Sequence, residues 1–268
     1  MRRWSGKLPT REELHMKTDR IQEMERYIIQ HGAATMEELR TTFDISMNTV
    51  RRDVAELLER GAVTKVYGGV RARPTEQALT PYEVRRRGSE SAKAAIGRRA
   101  AEMVNDGDVI FVDSGTTTLQ MIDHLADKRE LTIITNNIEA IVRALPHENI
   151  TIIALPGQVR RKTHSLTGED AVRYLRRFNV RTAFIAATGV SSHGVTNSSP
   201  MEFEIKKCAV ESAEKTVLLI AGGKFGVTGL MTFAQMSDFD ALVTDVQPDA
   251  VTCRQLAEKG VELIVADQ

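Results

Sequence analysis

The spacing of apolar residues predicts three short helices and a hairpin near the N-terminus. Apolar residues recur at helical spacing over 19–30. Thr35 and Glu38 form a capping box for a second helix, and Ser46 can cap a third. Residues 63–71 alternate around a glycine turn, which predicts a β-hairpin. Three helices and a hairpin in about 55 residues predict a winged helix-turn-helix.

After residue 90 the pattern changes to apolar runs of strand length that alternate with amphipathic helices, such as 119–126 and 202–213. The predicted strands are 109–112, 131–135, 150–155, 182–186, 217–220, 241–244 and 261–265. Strands that are apolar on both faces and joined by helices favour a mostly parallel sheet covered on each side. The fold class is therefore an N-terminal winged helix-turn-helix plus an α/β mostly parallel-sheet domain.

The same pattern places the domain boundaries. Residues 1–17 form an extension, 18–73 the winged helix-turn-helix domain, 74–90 a linker and 91–268 the α/β domain. The linker is assigned where periodicity lapses around Pro74, Pro81 and a basic run at 85–87.

Composition narrows the class of protein only slightly. Hydrophobic residues make up 42% of the 268 residues, enough for a core, and the formal net charge of zero does not indicate a nucleic-acid partner. Only two cysteines are present, so neither a disulfide framework nor a metal site is expected, and no cofactor is indicated. Without a secretory signal or an apolar run of bilayer length, we expect a cytoplasmic protein that does not contact membranes.

The third helix has the composition of a DNA-reading helix. Residues at the N-terminal end of such a helix meet base edges in the major groove, where Asn48 and Arg51 can each make bidentate contacts. The predicted DNA-binding residues are Ser46, Asn48, Thr49, Arg51, Arg52, Lys65, Tyr67 and Arg71. In the alternative interpretation, Arg51 and Arg52 form a solvated face and Asp53 is a capping acid. The expected partner is double-stranded operator DNA, bound by a homodimer or homotetramer because one reading head buries little DNA surface.

A second candidate site follows the strand at 109–112. The loop Asp113-Ser-Gly-Thr-Thr-Thr118 offers hydroxyls and exposed amides that could hold an anion where open α/β sheets bind ligands. Alternatively, it is an N-capping turn with no ligand. The predicted effector-binding residues are Asp113, Ser114, Gly115, Thr116, Thr117, Thr118, Thr135, Asn136, Arg160, Thr188 and Lys224.

From about residue 19 to its end, the chain resembles DeoR-family transcriptional regulators. The resemblance rests on 20–24 (Arg-Ile-Gln-Glu-Met), 46–54 (Ser-Met-Asn-Thr-Val-Arg-Arg-Asp-Val) and 65–70 (Lys-Val-Tyr-Gly-Gly-Val). Within that family, 187–189 (Ala-Thr-Gly), 193–197 (His-Gly-Val-Thr-Asn) and 204–207 (Glu-Ile-Lys-Lys) are most similar to repressors of myo-inositol catabolism.

The resemblance implies a repressor of a carbohydrate operon, controlled by a phosphorylated sugar or inositol-derived effector. It also implies a sensing domain similar to ribose-5-phosphate isomerase and CoA-transferase folds, with the 114–118 loop as the phosphate-binding loop.

The rival hypothesis is a sugar-phosphate isomerase with an appended DNA-binding domain. An isomerase needs a general base beside the carbonyl carbon. The acid-rich Asp-Gly-Ala-Asp-Glu segment of related isomerases corresponds here to 186–190 (Ala-Ala-Thr-Gly-Val), which carries no acid. The family's Ala-Asp-His-Ser-Lys-Phe-Gly segment also departs, since 220–226 reads Ile-Ala-Gly-Gly-Lys-Phe-Gly. Binding without turnover, and no catalytic residues, is the favoured interpretation. A scaffold protein with a vestigial pocket is a third possibility.

Overall fold

The computed structural model describes residues 20–21, 23–25, 27–28, 33–59, 63–66, 68–72 and 81–267. The chain divides into two compact units, 1–75 and 76–268. Three parts of the sequence prediction lie outside the described residues. They are the extension at 1–17, residues 74–80 of the linker, and Tyr67.

The N-terminal unit contains the helix-turn-helix. The described residues within 20–28 are helical, and the later elements are β1 (Ala33–Thr35), α1 (Met36–Thr42), α2 (Met47–Glu59), β2 (Val63–Val66) and β3 (Gly69–Ala72). The capping box at Thr35 and Glu38 is present, because each side chain accepts a hydrogen bond from the other residue's amide.

The hairpin of β2 and β3 is antiparallel, and β3 also pairs with β1 in the order β1-β3-β2. The sequence pattern did not predict β1, a strand too short for an alternation to be read. Gly69 permits this pairing, since a Cβ there would lie 2.2 Å from the backbone oxygen of Ala34.

The C-terminal unit is built on a seven-stranded sheet. Its helices are α3 (Tyr82–Arg87), α4 (Glu90–Ala101), α5 (Ile138–Ala144), α6 (Glu169–Leu175), α7 (Pro200–Ser212) and α8 (Ala250–Glu258). Its strands are β4 (Val109–Val112), β5 (Leu131–Thr135), β6 (Ile150–Ala154), β7 (Gln158–Arg160), β8 (Ser165–Thr167), β9 (Thr182–Ala186), β10 (Gly189–Ser191), β11 (Gly194–Asn197), β12 (Lys215–Leu219), β13 (Met231–Ala234), β14 (Ala241–Thr244) and β15 (Glu262–Val265).

The large sheet is parallel throughout, in the order β15-β14-β12-β9-β4-β5-β6, and it contains the seven predicted strands. One core cluster on it includes Ile96, Ile110 and Phe184, and a second includes Phe111 and Ile205. A sheet buried on both faces explains the near-continuous apolar runs in its strands. The predicted fold class is confirmed.

Three features differ from the sequence prediction. The helix expected at 119–126 is a 3-10 helix, Thr118–His124, and α3 lies inside the region assigned to the linker. A small antiparallel sheet, β10-β11-β13, and the pair β7-β8 were not predicted. Their strands have three or four residues, too few for alternation to be distinguished from a loop.

No helix in the described part of the chain is both long and apolar enough to cross a membrane.

Candidate functional site

Helix α2 and its cap expose four of the predicted DNA-binding residues, Ser46, Asn48, Arg51 and Arg52. Ser46 caps it by accepting a hydrogen bond from the Thr49 amide, N to Oγ 3.2 Å. The side chains of Asn48, Arg51 and Arg52 are exposed, and neither arginine forms an ion pair with a described residue. A cationic face is therefore displayed at the N-terminal half of α2.

The opposite face of α2 is fixed by a buried ion pair. Asp53 is fully buried and accepts from Arg20 through both oxygens, with Nε to Oδ2 at 2.8 Å and a terminal nitrogen to Oδ1 at 3.2 Å. Asp53 is thus not a helix-capping acid, as the alternative interpretation assumed. It links α2 to the first helical segment, within 20–28, and Val50 and Leu57 are buried on the same face of α2.

The hairpin places the remaining predicted DNA contacts differently. Lys65 is exposed on β2, opposite Val70 in the register. Arg71 is located through its backbone, which pairs with Ala33 and Thr64. Tyr67 lies outside the described residues.

In the C-terminal unit, a cavity of about 180 Å³ opens beyond the carboxyl ends of β4 and β9. Its lining combines cations, hydroxyls, an amide and one acid with small apolar groups. The lining residues are Arg85, Gly115, Thr116, Ala186, Ala187, Thr188, Asn197, Ser198, Glu202 and Lys224. Four of the predicted effector-binding residues are thereby brought together: Gly115, Thr116, Thr188 and Lys224.

Asp113 forms a buried ion pair with Lys206 and does not line this cavity. It is fully buried, its Oδ2 accepts from the Ala186 amide at 3.0 Å, and the same oxygen pairs with the ammonium of Lys206. Lys206 also donates to the Ala186 carbonyl at 2.9 Å. The structure therefore gives Asp113 a role that the sequence did not suggest, joining β4 to β9 and α7.

The 114–118 loop contains both hydrogen-bonded polar groups and polar groups without a described partner. The hydroxyl of Thr118 donates to the carbonyls of Asp113 and Gly115, while that of Ser114 donates to Glu202 at 2.8 Å. The Thr117 hydroxyl is buried and has no partner among the described residues. Backbone amides 114–117 donate to no acceptor in the described part of the chain. Unpaired amides beside a cavity are suited to hold an anion.

Gly115 has a packing requirement of its own. A Cβ there would lie 2.3 Å from the Cβ of Ala186, so the loop approaches β9 too closely for any larger residue. The glycine is needed for this contact whether or not a ligand is bound.

Three other predicted effector contacts, Thr135, Asn136 and Arg160, are not among the residues that line the cavity. Thr135 donates to the Val112 carbonyl at 2.5 Å, which fixes the end of β5. Asn136 donates to the Leu166 carbonyl at 3.4 Å, and its Oδ1 is buried without a described partner. Arg160 donates to the hydroxyl of Thr167 at 3.0 Å. These three side chains hold neighbouring strand ends in place.

Among the predicted effector-binding residues, Lys224 is the one whose pKa is most altered. Its ammonium donates to the Ala187 carbonyl at 2.7 Å. Burial, followed by the nearby charges of Arg85, Lys93 and Lys206, lowers the pKa of Lys224 to about 7, with Asp113 opposing them. The cavity wall therefore carries an excess of positive charge.

Sequence reasoning missed four polar lining residues, Arg85, Asn197, Ser198 and Glu202. Ser198 has a buried hydroxyl with no described partner, and Glu202 accepts from Ser114 and Ser165, each at 2.8 Å. The basic run at 85–87 was visible, but nothing local in it indicates which arginine faces the site.

Comparison with known proteins gives consistent matches. The model described as "DeoR-like helix-turn-helix domain" matches residues 20–76, and "DeoR C terminal sensor domain" matches 89–246. The chain is 41% identical to HTH-type transcriptional regulator IolR of Bacillus subtilis over 85% of this chain and 91% of the relative. It is 30% identical to HTH-type transcriptional repressor GlcR of the same organism, covering 90% and 93%.

The glycerol-3-phosphate regulon repressor of Escherichia coli is 28% identical, covering 87% of this chain and 93% of that relative. Among solved structures, ribose 5-phosphate isomerase A from Methanocaldococcus jannaschii matches with a TM-score of 0.38 and 20% identity. That match covers 52% of this chain and 55% of the isomerase.

The buried pair of Asp113 and Lys206 gives a stability prediction. Lys206→Met leaves the Asp113 carboxylate buried without its cation, and we expect the free energy of unfolding to fall by about 3–5 kcal/mol. Lys207→Met is the matched control, because Lys207 is exposed and 3.9 Å from Glu211, so its loss should cost less than about 1 kcal/mol. Urea denaturation measures both. Equal stability of the two variants would show that Lys206 does not compensate the buried charge of Asp113.

Proposed function

The chain belongs to the DeoR family of transcriptional regulators, and from that premise we propose that it represses a carbohydrate catabolic operon in the cytoplasm. In this proposal α2 reads operator DNA, and a phosphorylated sugar-like metabolite bound in the C-terminal unit controls the repressor. The observation that carries the sensing part is the convergence of Lys224, unpaired loop amides and the unpaired Ser198 hydroxyl around one cavity.

The geometry of α2 supports the DNA-reading role. Asn48 and Arg51 are exposed within the first turns of a capped helix, as base contacts in the major groove require. Arg52 and Lys65 are exposed cations suited to phosphates. Tyr67 and Arg71 remain proposed contacts of the flanking backbone.

The cavity supports an effector with an anionic end and a hydroxylated end. The amides of the 114–118 loop and Lys224 would take the phosphate. Glu202 and Asn197 would take hydroxyl groups, since Oε2 of Glu202 accepts no hydrogen bond from the described residues. Glu202, and not the buried Asp113, is therefore the acid proposed to contact the hydroxylated end. The resemblance to repressors of myo-inositol catabolism makes inositol-derived phosphates the first compounds to test.

Binding without turnover is the better account of this cavity. Glu202 is the acid in the lining, and Ser114 and Ser165 both donate to its Oε1, which orients Oε2 for a hydroxyl group of a bound ligand. The relatives that match over most of the chain are named as transcriptional regulators, which favours the same choice.

Loss of the exposed arginines tests the DNA-reading proposal. We expect Arg51→Ala to weaken operator binding and to reduce discrimination between sequences by about 1–3 kcal/mol, because a bidentate base contact is lost. Arg52→Ala should weaken binding to all sequences. It should also reduce the slope of the logarithm of the binding constant against the logarithm of the salt concentration by about one unit. Arg254→Ala, an exposed arginine of the other unit, is the control. Unchanged operator binding in both test variants, measured by fluorescence anisotropy, would remove α2 from the interface.

Assembly gives a second prediction. A single winged helix buries little DNA surface, so useful specificity requires two half-sites bound by paired subunits. We expect a homodimer or homotetramer by light scattering, with paired half-sites protected in footprinting. A monomer that protects one half-site with full affinity would contradict this proposal.

The altered pKa of Lys224 predicts how effector affinity depends on pH. Its amine is neutral above about pH 7 in the free protein, and an anion favours the protonated form, so binding takes up a proton. Between about pH 7.5 and 9, where a phosphate monoester is already a dianion, affinity should fall by up to about tenfold per pH unit. Calorimetry with a panel of sugar and inositol phosphates measures this slope.

The controls for that experiment separate the two parts of the ligand. Lys224→Met should bind the phosphates more weakly, and its affinity should no longer depend on pH in this range. Lys215 is an exposed lysine on β12, and Lys215→Met should keep the affinity and the pH dependence of the unaltered chain. An unphosphorylated sugar that binds as tightly as its phosphate would refute the phosphate assignment. A panel in which no compound binds or alters operator affinity would refute the sensing proposal.

A further inference from the structure

The helix α3 joins the cavity to the chain segment that leads from the DNA-binding unit. The contact-based boundary between the units lies at residues 75 and 76, and α3 begins six residues later, at Tyr82. Arg85, on this helix, lines the cavity. A displacement of α3 therefore acts directly on the covalent connection between the sensing and reading units.

The position of α3 depends on its contacts with other elements. It has six residues, of which only Tyr82 is buried, and Val84 is 60% exposed. A helix this short is unstable alone, so its position depends on what holds it. Two such contacts are made by Tyr82 and by Lys93 of α4.

One contact is the Tyr82 ring. It stacks on His164 with centroids 4.5 Å apart, and the Tyr82 amide donates to the Lys162 carbonyl at 2.9 Å. His164 is held in turn by Glu139, with Nδ1 2.8 Å from Oε1. The Tyr82 hydroxyl is buried without a described partner, which weakens this attachment.

The second contact is Lys93 of α4. Its buried ammonium donates to the carbonyls of Arg85 and Gly88, and more distantly to that of Arg86 at 3.4 Å. Lys93 thus fixes the C-terminal end of α3 while adding positive charge beside Arg85. Burial and the charge of Arg85 both lower the pKa of Lys93, which indicates how closely these cations approach.

An anion in the cavity would relieve this crowding of like charges. Arg85, Lys93 and Lys206 all contribute positive charge near Lys224, and a guanidinium is the side chain best shaped to bind a phosphate through two nitrogens. We propose that Arg85 is a ligand of the effector's anionic group, so that effector binding holds α3 against the rest of the sensing unit and is transmitted through it to the DNA-binding unit. This inference rests on the sensing role proposed above and assigns its route.

Arg85 and Arg87 provide a matched pair of variants in one helix. Arg85→Gln and Arg87→Gln remove the same charge, but Arg87 is exposed and does not line the cavity. With inorganic phosphate and a myo-inositol monophosphate as probes, Arg85→Gln should bind at least about tenfold more weakly in calorimetry. Arg87→Gln should bind as the unaltered chain does, and Arg85→Lys should retain part of the affinity.

Hydrogen exchange on the full chain tests the transmission itself. In the unaltered protein, either probe should slow amide exchange in residues 82–88, and the inositol phosphate should change operator affinity. In Arg85→Gln, saturating probe should do neither. Equal probe affinity in the two Gln variants, or unchanged exchange in 82–88 when probe is bound, would overturn the inference while leaving the sensing proposal intact. If the unaltered chain bound neither probe, the sensing proposal would fail with it.

Discussion

The buried contact between Asp113 and Lys206 is the constraint on which the cavity depends. Both side chains are less than 5% exposed, and together they join the end of β4 to the end of β9 and to α7. Desolvating two charges offsets much of their attraction, so we interpret the pair as a positioning device more than a source of net stability. It holds the 114–118 loop beside Ala186, where Gly115 has no room for a side chain.

With Asp113 committed to Lys206, the charge balance at the cavity is left to other groups. Arg85 and Lys224 line it as cations, and Glu202 lines it as an acid whose Oε1 is already hydrogen-bonded to two serines. The lowered pKa of Lys224 is the consequence of placing an amine among other cations in a buried wall. In the site without a ligand, the positive charge of Lys224 is therefore destabilised, and a bound anion would offset this effect.

Local signals were sufficient for the helix-turn-helix and for the seven parallel strands. The capping box of Thr35 and Glu38 and the apolar runs act within a few residues, so the sequence displays them directly. The cavity could be predicted only in part, because its polar groups meet across long separations. Ser114 contacts Glu202 from 88 positions away. Arg85 lies in a stretch without periodicity, where a six-residue helix leaves almost no pattern.

The run Arg51-Arg52-Asp53 shows why spacing within one helix separates two roles. Successive residues of a helix point about 100° apart, so Asp53 can be buried while the two arginines before it stay exposed. Asp53 is the acid nearest to them in the sequence, and its two oxygens accept from Arg20. The arginines are consequently left with their charges unneutralised by Asp53, which is the state in which a phosphate or a guanine edge can bind them.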